Sequence, residues 1–489
     1  MFVSYLVNLL PVKKTNTNIW IIFIITVFCI KIFIFLIDPL PMFLMGDSHS
    51  YITTSLTGWI PPDRSFTYGY FIKYTAVASH SLTTLILLQT LLSGTNAILL
   101  SYMLIRFFSV RPLISFLAGI LCSVEPLQLL YERYVMTESL SLFLFVLYLL
   151  TVFLYIEKPN FIKLFAISFI GIILVSVRMS FLPIVLINTI ILPLLAIPSI
   201  LKSYGLTYES FKLFLRKLFS RRYVLKKILT HIVLSIVLTI SLHSAYRHLN
   251  GYLSENPPAY LYHSGFFLLA YFAPIIEPVD FPNKELADKV YENLKYDLLD
   301  YHKRAIHHWE IGGLVEVVKR FTTDSLEADH IAKQIVINAL KRDPLSLFSI
   351  AKFGFLDYWN ITNLKNCLKC ERGEKELPDY LLVKLRNYFS LWADELPFLH
   401  TFTNKYFFIA WPWYLFLLCS SLIALLITMI DKKNSKYFFI IFISSLIITS
   451  IACILIEGIT VRYLHPASWL IFLMIVPVFE YLICKLRSD

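Results

Sequence analysis

Five charged side chains in this sequence are of the types, and stand in the contexts, that acid–base chemistry on an anionic substrate requires. Asp47, in "GDSHSY" (46–51), follows a long apolar run after only a short Pro-containing link. Partial desolvation there raises a carboxyl pKa and makes a better base, while a nearby cation lowers it. The same aspartate also reads as the cap of a short helix beginning "DSHSYI", and the two roles can coexist. Arg64, in "PPDRSFTYGYF", precedes a set of aromatic residues. Its forked donors suit a lipid phosphate, or snorkel to ordinary headgroups.

Glu138, in "MTESL", caps a helix start together with Thr137, or supplies a second acid for an acceptor hydroxyl or a divalent cation. Arg178 ("SVRMSFLP") and Arg462 ("EGITVRYLHP") come from distant parts of the chain. They flank spans singly, or together bracket one anionic group. His49, Tyr51 and Tyr463 lie beside these motifs as supporting polar residues. Neither His49 nor His465 has metal-ligand spacing, and His307 and His308 have no evident partner. The phosphate-loop pattern, the dinucleotide glycine pattern and G-x-S-x-G are all missing, so nucleotide-driven and serine-hydrolase chemistry find no support.

These residues need elements to hold them, and composition says which. The chain has 489 residues, 57% hydrophobic and only 16% charged, with a mean hydropathy of +0.67; a soluble chain carries about a quarter charged residues. Repeated apolar runs of roughly 18–25 residues predict an all-α integral membrane protein of about ten spans. They fall near 19–37, 82–105, 112–127, 135–155, 164–178, 182–199, 229–246, 406–430, 437–456 and 467–484. This divides the chain into an N-terminal membrane module (1–246) with a first external loop (38–81), a mainly helical external or interface domain (247–405), and a C-terminal membrane module (406–489). The run "GFFLLAYFAPII" (265–276) is too short to span and reads as a lid dipping into the interface.

The formal net charge is +11, but its distribution argues against nucleic acid. The stretch 201–229 interleaves Lys and Arg with Phe and Leu between two spans. It reads as an amphipathic helix on anionic lipid, or as a loop obeying the positive-inside rule; either places it in the cytoplasm. Lys13 and Lys14 then predict a cytoplasmic N-terminus, and residues 1–18 do not read as a cleavable signal peptide. Basic clusters at 13–14, 106–111, 158–163, 202–227, 432–436 and 485–487 all fall on that side. Asp47, Arg64, Glu125, Glu132, Glu138, Arg178, Glu457, Arg462 and the 247–405 domain fall on the other. Charges gathered at one membrane depth are costly and commonly functional. Of seven cysteines, Cys367 and Cys370 form a lone C-x-x-C, too little for zinc and leaving a local disulfide open.

Taken in order, the acid after the first span, Arg64 with its aromatics, "MTESL", "VR…LP" and "RYLHP" resemble the GT-C glycosyltransferases. The nearest branch is that of protein O-mannosyltransferases, lipid A aminoarabinose transferase and lipopolysaccharide-core galacturonosyltransferases. The likeness covers most of 1–200 and 450–489; the 247–405 region matches by position alone. It implies a multi-span enzyme of a cell inner membrane with a periplasmic or external active site. The donor would be a polyprenyl-phosphate sugar and the acceptor a glycan, lipid or protein. It also implies Asp47 as general base, Glu138 as the acid of the TES motif, and Arg64, Arg178 and Arg462 as the phosphate clamp. Two departures stand out: Asp47 is followed by Ser48 instead of a second acid, and the turn after Arg64 is "RSFTYGY". The first leaves a requirement for Mg²⁺ or Mn²⁺ open.

Two other classes compete with the enzyme reading. A transporter or flippase of lipid-linked sugars would use the same arginines as phosphate guides, yet the hydropathy pattern has no internal repeat of the kind many transporters show. A non-catalytic assembly subunit would tolerate loss of Asp47.

Overall fold

The structure, a computed structural model, describes residues 17–203, 222–322, 324–373, 376–393, 401–431, 434–456 and 458–486. Lys13, Lys14, Glu457, Lys432, Lys433, Arg487 and the basic stretch from Lys212 to Arg221 lie outside the described residues. Every regular element among those described is helical, with one isolated parallel bridge between Met42 and Tyr134.

The chain begins with α1 (Thr17–Ile37), then α2 (Met45–Thr57), which carries Asp47, and α3 (Phe66–Ile72). A long helix, α4 (Leu82–Phe108), is followed by α5 (Pro112–Ser123), α6 (Pro126–Tyr131) and α7 (Glu138–Glu157). Next come α8 (Phe161–Val177), α9 (Leu182–Leu195), α10 (Ile197–Ser203) and the 33-residue α11 (Arg222–Ser254). Past them lie α12 (Ser264–Tyr271) and several further helices up to Arg342, then α13 (Ser346–Trp359), α14 (Ile361–Cys370) and α15 (Asp379–Phe389). A bent pair, α16 (Trp411–Leu418) and α17 (Ser420–Ile430), leads into α18 (Ser435–Ile454) and α19 (His465–Leu486).

Seven helices among the described residues are long and apolar enough to cross a bilayer, and the pair α16–α17, bent by 50°, makes an eighth if it counts as one span. This is a helical membrane protein in composition and length. The expected third and fifth spans are shorter apolar helices, α5 and α8, of 12 and 17 residues. At 1.5 Å per residue α5 covers only about 18 Å. Local chemistry stops it there: Glu125 accepts from the Gln128 N–H at 2.9 Å and Pro126 opens a new helix, so α6 begins where a span would have continued.

Contacts sort the segments into two ends. At one end, Arg106 of α4 meets Glu157 of α7 at 2.7 Å, Arg111 meets Glu480 of α19, and Ser199 of α10 donates to the Ile156 carbonyl at 2.7 Å. At the other, α1 reaches α6 through Lys31 and Glu132, and α11 reaches the first loop through Tyr246 and Ser65. The apolar segments therefore alternate in direction, with α5 and α6 returning the chain after α4. Lys158, Lys163, Lys202, Arg222, Lys226, Lys227 and Lys436 belong to the first end, and Asp47, Arg64, Glu138, Arg178 and Arg462 to the second.

Two boundaries differ from the sequence reading. Residue 246 is not an edge, because α11 runs unbroken to Ser254. The 247–405 region is also not one unit. Residues 266–350 share their own core, whereas Leu381, Leu385 and Phe389 of α15 pack with Phe43, Ile52, Tyr68 and Ile72 of the first loop.

Lys31, Glu132 and Arg133 are fully buried; Lys31 pairs with one Glu132 oxygen and Arg133 lies 3.2 Å from the other. A buried charge stripped of its partner costs about 3–5 kcal/mol. Glu132→Gln strands two cations and Lys31→Met strands none, since Glu132 keeps Arg133. Thermal unfolding in detergent is therefore expected to show Glu132→Gln as the more damaging; equal damage would mean that the pair is not held as described.

Candidate active site

The first loop is shaped by three local signals. Gly58 ends α2 in the left-handed region at φ 80°, where a side chain would strain the backbone. The chain then turns through Pro61 and Pro62, and the Arg64 N–H closes onto the Pro61 carbonyl at 3.1 Å. Ser65 caps α3, accepting from the Thr67 N–H, and its hydroxyl also accepts from Tyr246 at 2.9 Å. Arg64 is thus fixed to the end of α11 and aimed back over α2. Asp47 lies in the first turn of α2, where the helix dipole favours an anion. It does not cap that helix: the Leu44 N–H bonds to Ser48 Oγ instead.

The Asp47 carboxylate is divided between two arginines. One oxygen accepts from Arg64 Nη2 and the other from Arg462 Nη1 at 2.5 Å. Arg462 turns its Nε to Glu138, and Arg178 stands 3.5 Å from the same Glu138 oxygen. Glu138 is wholly buried, and Thr137 makes no side-chain cap, so the acid serves the arginines and not the helix start. Arg178 ends α8 in extended backbone before a short 3-10 turn at Met179–Phe181. Its guanidinium covers the Tyr463 ring at 5.0 Å. Arg462 sits in the 3-10 turn Val461–Leu464 that precedes α19. All five charged residues singled out in the sequence are brought into one chain of contacts: Arg64, Asp47, Arg462, Glu138, Arg178.

Burial pushes the Asp47 carboxyl up, but Arg64 and then Arg462 pull it further down, to about 2. The sequence left both directions open, and the cations prevail. Burial pushes the Tyr51 phenol up. Arg64 Nε and Arg178 Nη1 have no hydrogen-bond partner in the protein, nor has Glu138 Oε2.

Two cavities meet at this chain of charges. One, of about 190 Å³, is lined by Arg64, Arg178 and Arg462 together with Ser65, Ser176, Ser180, Tyr246 and Tyr260. The other, of about 230 Å³, is lined by Asp47, Arg64, Arg462, Phe267, Tyr271, Trp309 and Ile456. Arg64, Arg462, Tyr51, Tyr463, Phe267 and Tyr271 border both. Asp47 opens to the second alone and Arg178 to the first. The short run 265–276 contributes Phe267 and Tyr271 from α12, roofing both cavities.

Of the supporting residues, Tyr51 and Tyr463 are walls of the site. His49 is not: its Nδ1 bonds the Tyr380 hydroxyl at 2.8 Å and ties α2 to α15. His465 is buried against Tyr131. Glu125 and Glu132 turn inward, to Trp413 and to Lys31. Trp309, Tyr246 and Tyr260 were missed by sequence reasoning, and Phe267 and Tyr271 fell only within the run read as a lid, since nothing in a run of aromatics says which of them face a cavity.

The donor set does not fit a divalent cation. Mg²⁺ and Mn²⁺ need several oxygens converging on one point, yet Arg462 stands between Asp47 and Glu138 and takes an oxygen of each. No group of three or more His, Cys, Asp or Glu side chains among the described residues could hold a metal ion. Cys367 and Cys370 are free thiols.

Comparison with protein-family models, with curated proteins and with solved structures finds no match for this chain.

Gly69 of α3 packs so closely on α2 that a Cβ there would lie 2.4 Å from Thr54 Cγ2. Gly69→Ala is expected to part α2, which carries Asp47, from α3, which follows Arg64, at a cost of about 1–3 kcal/mol. A lowered melting temperature in detergent would show it; unchanged melting would mean the helices are less tightly coupled.

Proposed function

We propose that this chain is an inverting GT-C type glycosyltransferase, moving a sugar from a polyprenyl-phosphate donor to an acceptor hydroxyl. The observation that carries the reading is the Asp47 carboxylate clasped between Arg64 and Arg462 where two cavities meet, with Arg178 on one side and Asp47 on the other. Direct displacement requires the base and the leaving group on opposite faces of the anomeric carbon. That Asp47 borders one cavity and Arg178 the other, with Arg64 and Arg462 on their common wall, supports the reading.

The donor is already activated as a phosphoester, so no nucleotide has to bind. Its phosphate lies in the first cavity against Arg64, Arg178 and Arg462, whose fixed charge receives the electrons of the breaking C1–O bond. The acceptor hydroxyl enters the second cavity beside Phe267, Tyr271 and Trp309. Its oxygen bonds to C1 as its proton passes to Asp47, and polyprenyl phosphate departs. No step passes through a metal.

The resting site keeps Asp47 ionised and a weak base. A donor phosphate competes with Asp47 for Arg64 and Arg462, and every hydrogen bond it wins lifts the carboxyl from its low pKa. Base strength therefore rises only once the donor is seated, which limits wasteful deprotonation of water.

The basic end of the bundle belongs in the cytoplasm by the positive-inside rule, which puts the site and the 247–405 region on the periplasmic or external face of an inner membrane. The partners that follow are the lipid bilayer, the lipid-linked sugar and a glycan, lipid or protein acceptor.

The test uses membranes carrying the wild type or Asp47→Asn, supplied with radiolabelled polyprenyl-phosphate sugars. Transfer of label to an acceptor is expected from the wild type and is expected to fall about 10²–10⁴-fold in the variant. Equal transfer by both removes the base. Absence of transfer, with the lipid crossing the bilayer intact, replaces the enzyme with a flippase.

A further inference from the structure

The loop that carries Arg462 is gripped by a carboxyl that the reaction above does not use. Glu371, directly after α14, is buried at 8% exposure. One of its oxygens accepts from Thr460 Oγ1, and the other accepts from the Val461 N–H at 3.3 Å. Thr460 Oγ1 in turn accepts from the Arg462 N–H at 3.3 Å, capping the 3-10 turn that presents Arg462. Neighbours complete the grip. The Tyr358 hydroxyl donates to the Thr460 carbonyl at 2.7 Å, and Cys367 Sγ donates to the Ile459 carbonyl at 2.6 Å.

The backbone of the same residue reaches the other arm of the site. The Glu371 carbonyl accepts from the Tyr134 hydroxyl at 2.5 Å, and Tyr134 is the bridge partner of Met42, just upstream of Asp47. One residue therefore ties the segment leading to Asp47 to the turn holding Arg462.

We propose that Glu371 is the positioning residue of the anion clamp, fixing Thr460 and Val461 so that the Arg462 guanidinium faces both cavities. This rests on the reading that Arg462 holds the donor's phosphate. The Glu371 side chain lines neither cavity, so its carboxyl acts on the site through the turn that holds Arg462.

Its protonation state makes the role testable. Burial pushes the Glu371 carboxyl up to about 8, with Glu138 adding to the rise and the Val461 and Arg462 N–H groups and the Arg462 guanidinium opposing it. The other ionisable groups facing it are Cys367 on α14 and the phenols of Tyr131, Tyr358 and Tyr414 on α6, α13 and α16. Around neutral pH the acid is mostly un-ionised: one oxygen still accepts from the Val461 N–H, and the hydrogen bond between the other and Thr460 Oγ1 then runs from the acid, which carries the proton. The acid's pKa is raised in the folded protein, so the neutral form persists below about pH 8 and is lost as the pH rises through that value. Ionisation then places a negative charge beside Arg462, which competes with a bound anion.

The experiment measures binding of a short-chain prenyl phosphodiester, whose single charge does not titrate in this range, to the full-length protein in detergent by calorimetry. Wild type, Glu371→Gln and Glu371→Ala are compared between about pH 6.5 and 9.5. Wild-type affinity is expected to fall about 3–10-fold above pH 8. Glu371→Gln, which keeps one acceptor and gains a fixed donor, is expected to bind at neutral pH and to lack the alkaline fall. Glu371→Ala is expected to bind about tenfold more weakly at every pH. An alkaline fall retained in Glu371→Gln overturns the inference and leaves the enzyme reading standing, whether or not the alanine variant folds. Wild type that binds no phosphodiester at any pH overturns the phosphate clamp itself, and the inference with it.

Discussion

Everything at the working end of this protein depends on Arg462 being shared by two carboxylates. Asp47 and Glu138 come from helices that open at the same end of the bundle, and neither would tolerate such burial alone. A lone ion there costs several kcal/mol, and water reaches only part of the site: Glu138 is fully buried and Arg178 is 7% exposed. Arg462 resolves this by sending Nη1 one way and Nε the other. Lysine has one cationic head and could not do the same. The consequence is architectural. Helices α2, α7 and α19 are locked in register at their ends, and Arg64 and Arg178 join from the first loop and α8.

The same arrangement sets the electrostatic character of the site. Asp47, Asp63 and Glu138 balance Arg64, Arg178 and Arg462, and Asp63 lies 2.9 Å from Arg64. A site so balanced exerts little long-range pull on anions. On the function proposed above, recognition would come from exchange at short range, with a phosphate competing with the carboxylates for the same donors. Arg64 Nε and Arg178 Nη1 are buried and make no hydrogen bond in the protein, although Arg178 Nη1 lies 3.5 Å from Glu138.

How much of this was legible in the sequence follows from range. Apolar runs are local, and most of the long helices follow from them; the Pro126 break is local too, yet the expected third span ran through it to 127. The five charged residues were legible as a set because each stood beside an apolar run that could not leave it unpaired. What they pair with was not legible: whether Asp47 caps its own helix or bridges two arginines depends on Leu44 having found Ser48, and on a partner 415 positions away. Lys31 was lost inside a span whose hydropathy hid it. Glu371 sits in "CLKCERGEK", where the two cysteines draw the eye and the acid looks like one more loop charge; only packing against Thr460 makes it distinct. The 247–405 region was read as one unit because its charges are evenly mixed, yet its core and its α15 face serve different neighbours.

The division of that region has a mechanical meaning. Phe267 and Tyr271 of α12 belong to a body with its own apolar core, whereas α14, Glu371 and α15 are built into the membrane helices and the first loop. The floor of the site is therefore assembled from the membrane helices and the first loop, and its roof from a body with its own core. On the function proposed above, the charges that would face a leaving phosphate sit on the floor, and the aromatic wall that would face an acceptor sits on the roof. That roof is tied to its surroundings on several sides: the Tyr262 N–H meets the Pro62 carbonyl at 2.8 Å, Arg304 Nη1 donates to the Ile454 carbonyl at 3.0 Å, and His302 lies 3.1 Å from Asp357 of α13.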